Sequence, residues 1–224
     1  MLKNNKNILV VVAHPDDELL GVGGTLLRHR DSGDKIFILI LANGEDSRGQ
    51  KISNPAKRLN YAKKVALKLG ATLYMESFPD NAFDSVPLLE IAKKVEDVLF
   101  TIRPDIIYTH HGGDLNIDHR LTFEAVLTAT RPILEKKVEA ILSFETLSST
   151  EWQVKDSKQF SPNYYIDISK YISKKKALLS IYKDELRDYP HSRSLEGVEV
   201  LAKYRGLESG MKSAEAFCII RMVK

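Results

Sequence analysis

One stretch of this 224-residue chain predicts both its fold and its polar site: Ile8-Leu9-Val10-Val11-Val12-Ala13-His14-Pro15-Asp16-Asp17-Glu18. Its apolar, β-branched first half predicts a buried strand. A histidine and two aspartates then follow at the carboxyl end of that strand, which is where open parallel sheets bind their ligands. We therefore expect these polar side chains to bind a ligand or to catalyse a reaction rather than to be ordinary surface residues.

A hydrolytic zinc ion would account for this cluster. Such an ion takes three nitrogen or oxygen ligands and keeps one position open, and His14 and Asp17 supply two suitable ligands. A third ligand is expected from residues 110–119, which follow a second apolar run, Ile106-Ile107-Tyr108. Three of the six histidines of the chain fall in that segment: His110, His111 and His119.

Neighbouring carboxylates point in different directions, so Asp16 and Asp17 are expected to divide the work. One would bind the metal, and the other would accept a proton as general base. The alternative interpretation is that residues 15–18 simply begin a helix, because proline and acidic residues favour a first turn. That alternative leaves His14 and the second histidine cluster unexplained, so we favour the metal site.

Three motifs together resemble the PIG-L/LmbE family of zinc-dependent N-deacetylases. They are Ala13-His-Pro-Asp-Asp-Glu-Leu-Leu-Gly-Val-Gly-Gly-Thr25, Leu41-Ala-Asn-Gly-Glu45, and Asp114-Leu-Asn-Ile-Asp-His-Arg120. A weaker match at Pro190-His-Ser-Arg-Ser-Leu-Glu196 and Ala214-Glu-Ala-Phe217 extends the resemblance nearly to the end of the chain. The resemblance implies that His14, Asp17 and His119 hold Zn²⁺, that Asp16 is the general base, and that an acetyl group is removed from an N-acetylated sugar or a related amide.

One position departs from part of that family, where several members carry a histidine three residues before the last ligand. This chain has Asn116 there, and an asparagine cannot act as a general acid. We therefore expect His191, in the matching C-terminal motif, to protonate the leaving amine, with His110 or His111 as substitutes. A solvated loop histidine is the alternative for His191.

Four polar side chains are candidates for substrate contacts: Arg58, Asp80, Asn116 and Arg193. The resembling family often places an arginine near the position of Arg58, although a surface arginine is a close alternative. Asp80 follows a predicted strand and suits sugar hydroxyls, whereas an Asx turn is its plain interpretation. The loops at 45–56, 80–87 and 145–162, which would contact the rest of the substrate, carry no readable pattern.

Three further polar features have ordinary interpretations. Asp118 is expected either to orient a ligand imidazole or to cap a helix. His29, between two arginines, and the run Lys174-Lys175-Lys176 both predict solvated helix surfaces.

Composition favours one enzyme domain over residues 1–224, since 43% hydrophobic content can build one core. The 33 basic and 30 acidic residues intermingle at a net charge of +3, which argues against nucleic-acid binding. A lone cysteine and the lack of a signal or an 18-residue apolar span predict a cytoplasmic protein without a stable membrane anchor. The sequence leaves homo-oligomer formation open.

Strand and helix patterns alternate along the chain. Strands are predicted near 8–13, 35–41, 72–78, 105–109, 138–144, 164–168 and 216–221, and helices near 19–31, 55–69, 88–101, 119–130, 172–182 and 195–208. This pattern predicts an α/β fold, a Rossmann-like three-layer sandwich with a mainly parallel sheet and helices on both faces. We interpret the run Gly21-Val-Gly23-Gly24 as close packing against the sheet rather than as a dinucleotide loop, because it follows the metal motif instead of opening the turn.

The sequence thus predicts a zinc-dependent hydrolase that deacetylates an N-acetylated amino sugar of the N-acetylglucosamine type, with a small-molecule amino sugar as its partner. An amidase for a sugar-linked thiol conjugate would share every metal residue and differ only in the outer pocket. A non-catalytic binding protein of the same fold is the rival from another class.

Overall fold

The apolar run that precedes His14 forms a strand at the centre of a seven-stranded sheet. In the computed structural model this strand, β1, is Asn7–Val12, and Ile8 to Val12 are completely buried. The structure describes residues 5–42, 55–132, 138–156 and 158–223. Residues 43–45 of the Leu41–Glu45 motif and most of the loop 45–56 lie outside these ranges.

The remaining elements follow the predicted alternation. The strands are β2 Lys35–Ala42, β3 Thr72–Phe78, β4 Ile106–His110, β5 Ala140–Phe144, β6 Tyr164–Asp167 and β7 Ala214–Met222. The α-helices are α1 Asp17–Asp31, α2 Pro55–Leu69, α3 Leu88–Ile102, α4 Ile117–Ala129, α5 Ile172–Leu179 and α6 Leu195–Ser209. Boundaries differ from the prediction by a few residues, and α5 ends at Leu179 with a 3₁₀ turn continuing to Tyr182.

The strand order is β3-β2-β1-β4-β5-β7-β6. The first five strands in this order pair in parallel, while β7 runs antiparallel to both β5 and β6. The predicted mainly parallel sheet is therefore confirmed. The antiparallel strand β7 follows α5 and α6 in the chain and lies between β5 and the edge strand β6.

Helices cover both faces of the sheet, as predicted. One apolar core packs α1, α2, α5 and α6 against the face that carries Val10 and Phe144. The other core packs α3 and α4 against the face that carries Leu9 and Ile107. Each fully buried aliphatic side chain contributes about 1.5–3 kcal/mol, so the two cores fix the strand ends from which the polar loops emerge.

The strand order reverses between β1 and β4, which lie side by side although α1, β2, α2, β3 and α3 separate them along the chain. The helix after β1 lies on one face and the helix after β4 lies on the other. This divergence opens a crevice outside the carboxyl ends of the two strands. His14 follows β1 and His110 ends β4, so both histidine clusters reach that crevice.

The glycines of α1 serve close packing. A Cβ atom on Gly21 would lie 2.1 Å and 2.4 Å from two ring carbons of Phe144, and one on Gly24 would lie 2.7 Å from the side chain of Ile168. Any side chain at these positions would push α1 away from its neighbours. The packing interpretation of the glycine run is therefore confirmed, and the dinucleotide interpretation is not supported.

The prediction of solvated helix surfaces is correct for Lys174, which is exposed, but it is wrong for Lys175 and for His29, which is only partly exposed. Lys175 is buried, and its Nζ donates to Glu215 Oε1 at 2.7 Å and to the carbonyl of Leu20 at 2.8 Å. His29 lies between Asp34 Oδ2, at 2.7 Å, and the Tyr108 hydroxyl, at 3.0 Å, and burial lowers its pKa despite the hydrogen bond to Asp34. Both side chains find partners that are distant in sequence, so a local charge pattern gave no sign of them.

Across the described ranges, no helix combines the length and the apolar character needed to cross a lipid bilayer.

Candidate metal and catalytic site

The crevice at the β1 and β4 ends holds a polar cavity of about 280 Å³. Eight of the residues proposed from sequence line it: His14, Asp16, Arg58, Asp80, Asn116, His119, His191 and Arg193. The ninth, Asp17, is completely buried beside His14 and His119. Residues from opposite ends of the chain therefore meet at one place.

Asp17 joins the two histidines. Its Oδ2 lies 3.2 Å from His14 Nδ1 and 3.3 Å from His119 Nε2. Two ligands at ordinary zinc distances with tetrahedral angles would be about 3.3–3.5 Å apart. The second oxygen of Asp17, Oδ1, is buried and has no hydrogen-bond partner among the residues that the structure describes. The spacing and this free acceptor fit a divalent cation held by His14, Asp17 and His119.

Carboxylates orient both imidazoles from behind. His14 Nε2 lies 3.0 Å from Asp118 Oδ2, which leaves Nδ1 facing Asp17. His119 Nδ1 lies 3.1 Å from Asp114 Oδ1, which leaves Nε2 facing Asp17. A carboxylate on the far ring nitrogen is the usual arrangement around a metal-binding histidine, because it fixes the tautomer and the ring orientation.

The surroundings favour a positive charge on His119 and a negative charge on Asp17. Burial lowers the pKa of His119, but Asp17 and Asp114 outweigh it and raise that pKa to about 9. Burial likewise opposes ionisation of Asp17, yet His119 and His110 hold its pKa well below the usual range. The field of the surrounding carboxylates thus attracts positive charge to this point, which is what a cation site requires.

A second group, His14, Asp80 and Asp118, also brings three donor atoms together. Asp118, however, already accepts the backbone N–H groups of Asn81, at 2.7 Å, and Phe83, at 3.0 Å. Its oxygens therefore hold the 81–83 loop and the His14 ring in place. Of the two roles predicted for Asp118, the contact with an imidazole is the one present, whereas Asn116 caps α4 by accepting from Asp118 N at 2.8 Å.

The surroundings of His110 and His111 do not suit the predicted substitute role as general acid. The backbone N–H of Ala13 donates to His110 Nε2 at 3.0 Å, so the neutral ring carries its proton on Nδ1, beside Thr146 Oγ1. Burial, together with the charge of His119, lowers the pKa of His110 to about 4. His111 instead contacts the carbonyl of Lys158 through Nε2 at 2.7 Å and does not line the cavity.

Asp16 precedes Asp17 in the chain and has an unusual backbone conformation. Its φ of 108° turns the chain sharply just before α1 begins, and Glu18 Oε2 accepts its backbone N–H at 3.0 Å. Burial raises the pKa of the Asp16 carboxyl to about 7, although Arg193, whose Nη1 lies 3.3 Å away, works in the opposite direction. A strained, buried carboxyl group with a pKa near neutrality is suited to proton transfer.

His191 is oriented by its neighbours in the 189–194 loop. The backbone N–H of Arg193 donates to His191 Nδ1 at 3.0 Å, so a neutral ring carries its proton on Nε2. Trp152 stands edge to face against the same ring, with the ring centres 5.6 Å apart. His191 is thus a partly exposed loop residue that lines the cavity and whose ring has defined neighbours.

Sequence reasoning missed Glu185, which lies in the segment after α5. Its carboxylate pairs with Arg58, whose Nε lies 2.9 Å from Oε1, and its Oε2 lies 3.8 Å from Arg193 Nη1. Arg58 also reaches Asp80 Oδ2 at 3.3 Å. The two arginines are thus held at the rim by a shared acid, which no motif in the sequence marked.

The comparisons with known proteins agree with this picture. The model of the family described as PIG-L, GlcNAc-PI de-N-acetylase, matches residues 9–130. Diacetylchitobiose deacetylase from Thermococcus kodakarensis is 25% identical over 230 residues, covering 94% of this chain and 81% of its own. The solved structure of N,N′-diacetylchitobiose deacetylase from Pyrococcus horikoshii superposes with a TM-score of 0.76 at 20% identity, covering 96% of this chain and 84% of that one.

The fold alone does not decide the reaction. A 4-carboxy-2-hydroxymuconate hydratase from Pseudomonas putida superposes with a TM-score of 0.75 at 19% identity, over 98% of both chains. Function must therefore be argued from the side chains of the cavity.

Proposed function

Because the chain belongs to the PIG-L family of GlcNAc-PI de-N-acetylases, we propose that it is a zinc-dependent hydrolase that removes the acetyl group from an N-acetylated amino sugar of the N-acetylglucosamine type. One observation supports the proposal most strongly. A single cavity is lined by His14, Asp16, His119 and His191, and Asp17 lies buried in contact with His14 and His119. Such a cavity is small and polar, which suits a sugar better than an apolar ligand.

His14, Asp17 and His119 would hold the ion. The spacing of their donor atoms and the unpartnered Asp17 Oδ1 support this assignment. When bound, zinc supplies Lewis acidity, which polarises an acyl oxygen and lowers the pKa of water towards ~7.

Asp16 would act as the general base. With a pKa of about 7, a substantial share of its carboxyl groups is ionised at neutral pH and still basic enough to take a proton from the attacking water. Arg193 approaches Asp16 Oδ2 and would hold the carboxylate in one orientation while the proton moves.

His191 would return a proton to the leaving amine. It would do so as the imidazolium, through the proton on Nε2; because Nδ1 is also protonated in that form, the hydrogen bond that Nδ1 accepts from the backbone N–H of Arg193 would have to open for this step. Asn116 cannot perform this step, because its amide side chain, which accepts from Asp118 N and donates to Asn81 Oδ1, is not an acid. Breakage of the C–N bond would then release acetate and the free amino sugar.

Arg58, Asp80, Asn116 and Arg193 would contact the sugar. Arg58 and Asp80 hold each other at 3.3 Å, so together they offer donors and an acceptor in a fixed geometry for sugar hydroxyl groups. Glu185 would keep both arginines in place without contacting substrate.

The test is acetate release from a panel of N-acetylated amino sugars and glycosides, with Asp16→Asn protein as the matched control. We expect release from N-acetylglucosamine derivatives by the wild type and a loss of about 10²–10⁴-fold in the variant. A panel that includes acylated sugar-thiol conjugates separates the amidase rival. Equal rates for wild type and variant, or no release from any substrate, would refute the proposal.

A further inference from the structure

Trp152 differs chemically from the rest of the cavity wall, because it is a large aromatic residue. The residue is 55% exposed, although it lines the same cavity as His14 and Asp16. Apart from Pro15, the other described residues of the lining are polar or charged. A large aromatic surface that faces such a cavity and stays in water offers binding energy to a ligand.

The loop that carries Trp152 is firmly held. Ser148 adopts a left-handed φ of 65°, and the Glu151 carboxylate accepts the N–H groups of Ser148, at 2.7 Å, and Ser149, at 3.1 Å. The hydroxyls of Ser149 and Thr150 donate to Asp114, the carboxylate that faces His119. Strain fixed in this way is typical of functional sites, and it presents the indole in a defined position at little entropic cost on binding.

The position of Trp152 relates directly to the catalytic groups. Its ring lies edge to face with His191, His191 accepts from the backbone of Arg193, and the guanidinium of Arg193 reaches Asp16. Trp152, His191, Arg193 and Asp16 therefore belong to one connected stretch of the cavity wall. A sugar whose acetamide group is at Asp16 could extend along this wall to the indole.

We propose that Trp152 forms a second subsite that binds a pyranose ring linked to the acetylated sugar, so that the preferred substrate is a disaccharide or longer glycan rather than a monosaccharide. This proposal rests on the proposed deacetylation. Pyranose rings present one face of C–H groups, and these are attracted to the electron-rich face of an indole while the hydroxyls at the ring edge stay in water. The polar remainder of the wall would bind those hydroxyls.

Binding can be observed directly, because Trp152 is the only tryptophan in the chain. In Asp16→Asn protein, which should bind without turnover, N,N′-diacetylchitobiose is expected to change the tryptophan emission in a saturable way. Methyl N-acetylglucosaminide should leave it nearly unchanged at matched occupancy. An identical response to both sugars, or none to the disaccharide, would overturn the subsite.

Kinetics give the second readout. Trp152→Ala should lower the ratio of kcat/KM for the disaccharide to kcat/KM for the methyl glycoside by about 10-fold, mostly through KM, since one stacking contact is lost. Trp152→Phe should restore most of that ratio. Val154→Ala is the matched control, because Val154 is exposed on the same loop but does not line the cavity.

The outcomes distinguish the two proposals. A general disturbance of the loop would lower both rates and leave the ratio unchanged, which would refute the subsite. Saturable emission changes with the disaccharide but no acetate release from any sugar would support the subsite and refute deacetylation.

Discussion

Replacing Lys175 by methionine is expected to destabilise the protein strongly. The ammonium group is buried, lies 2.7 Å from Glu215 Oε1 and also donates to the carbonyl of Leu20. Glu215 in turn accepts the backbone N–H groups of Gly24, at 2.8 Å, and Thr25, at 2.7 Å, in the middle of α1. Lys175→Met would leave Glu215 buried without its counter-charge.

The expected loss of stability follows from the unpaired charge on buried Glu215. Removal of one partner of a buried ion pair costs about 3–5 kcal/mol, because the remaining charge loses its compensation. For a chain of this size each kcal/mol lowers Tm by about 2–4 °C, so a fall of about 6–20 °C is expected. The neighbouring Lys176 offers a matched control, since its pair with Glu199 is about one-third exposed on each side. Lys176→Met should change stability by no more than about 1 kcal/mol.

Urea unfolding of the wild type and both single variants measures the difference. A double variant, Lys175→Met with Glu215→Gln, should recover part of the lost stability, because the glutamine keeps an acceptor for the α1 backbone without an unpaired charge. If Lys175→Met unfolds at the same urea concentration as Lys176→Met, the buried pair does not anchor α1 and the reasoning fails.

The remaining predictions concern the site and the pH dependence of stability. Asp17→Ala should lose bound metal by elemental analysis, whereas Asp16→Asn should keep it and lose activity; the reverse result would mean that the two roles are exchanged. His191→Ala should retain metal and lose kcat more than it raises KM, and unchanged kcat in steady-state assays would remove His191 from the proton transfer. The lowered pKa of His29 makes the neutral ring the favoured form in the folded state. Its contribution to stability is therefore full above the unfolded pKa of about 6.5 and is lost as pH falls through the folded pKa. His29→Gln should consequently reduce the pH dependence of the free energy of unfolding, measured in urea, between about pH 7.5 and about pH 5. The same pH dependence in wild type and variant would contradict this.

Much of the fold could be predicted because its signals are local. The apolar runs that became β1 and β4 are continuous and bounded, and the alternation with helical patterns determined the layers. Parallel strands bring their carboxyl ends to one edge, so His14 and the histidines of residues 110–119 could be expected to meet, and the family resemblance singled out His119 among them.

The parts that escaped prediction depend on contacts between distant segments. Lys175 resembles its neighbours Lys174 and Lys176 in sequence, and only the approach of Glu215 from β7 separates it from them. Glu185 stands in no motif, yet it holds two arginines that come from different parts of the chain. The tautomer of His110 depends on a backbone N–H from Ala13, which is 97 residues away. Such partners are set by tertiary packing, and no residue pattern encodes them.

The measurement that tests the central claim most directly is zinc content and acetate release followed together on one preparation. The protein is stripped with a chelator and then titrated with zinc, with N,N′-diacetylchitobiose as substrate. The site of His14, Asp17 and His119 predicts that activity falls with the metal, returns in proportion to zinc and is restored at about one ion per chain. Full acetate release from protein that contains no metal would contradict the account.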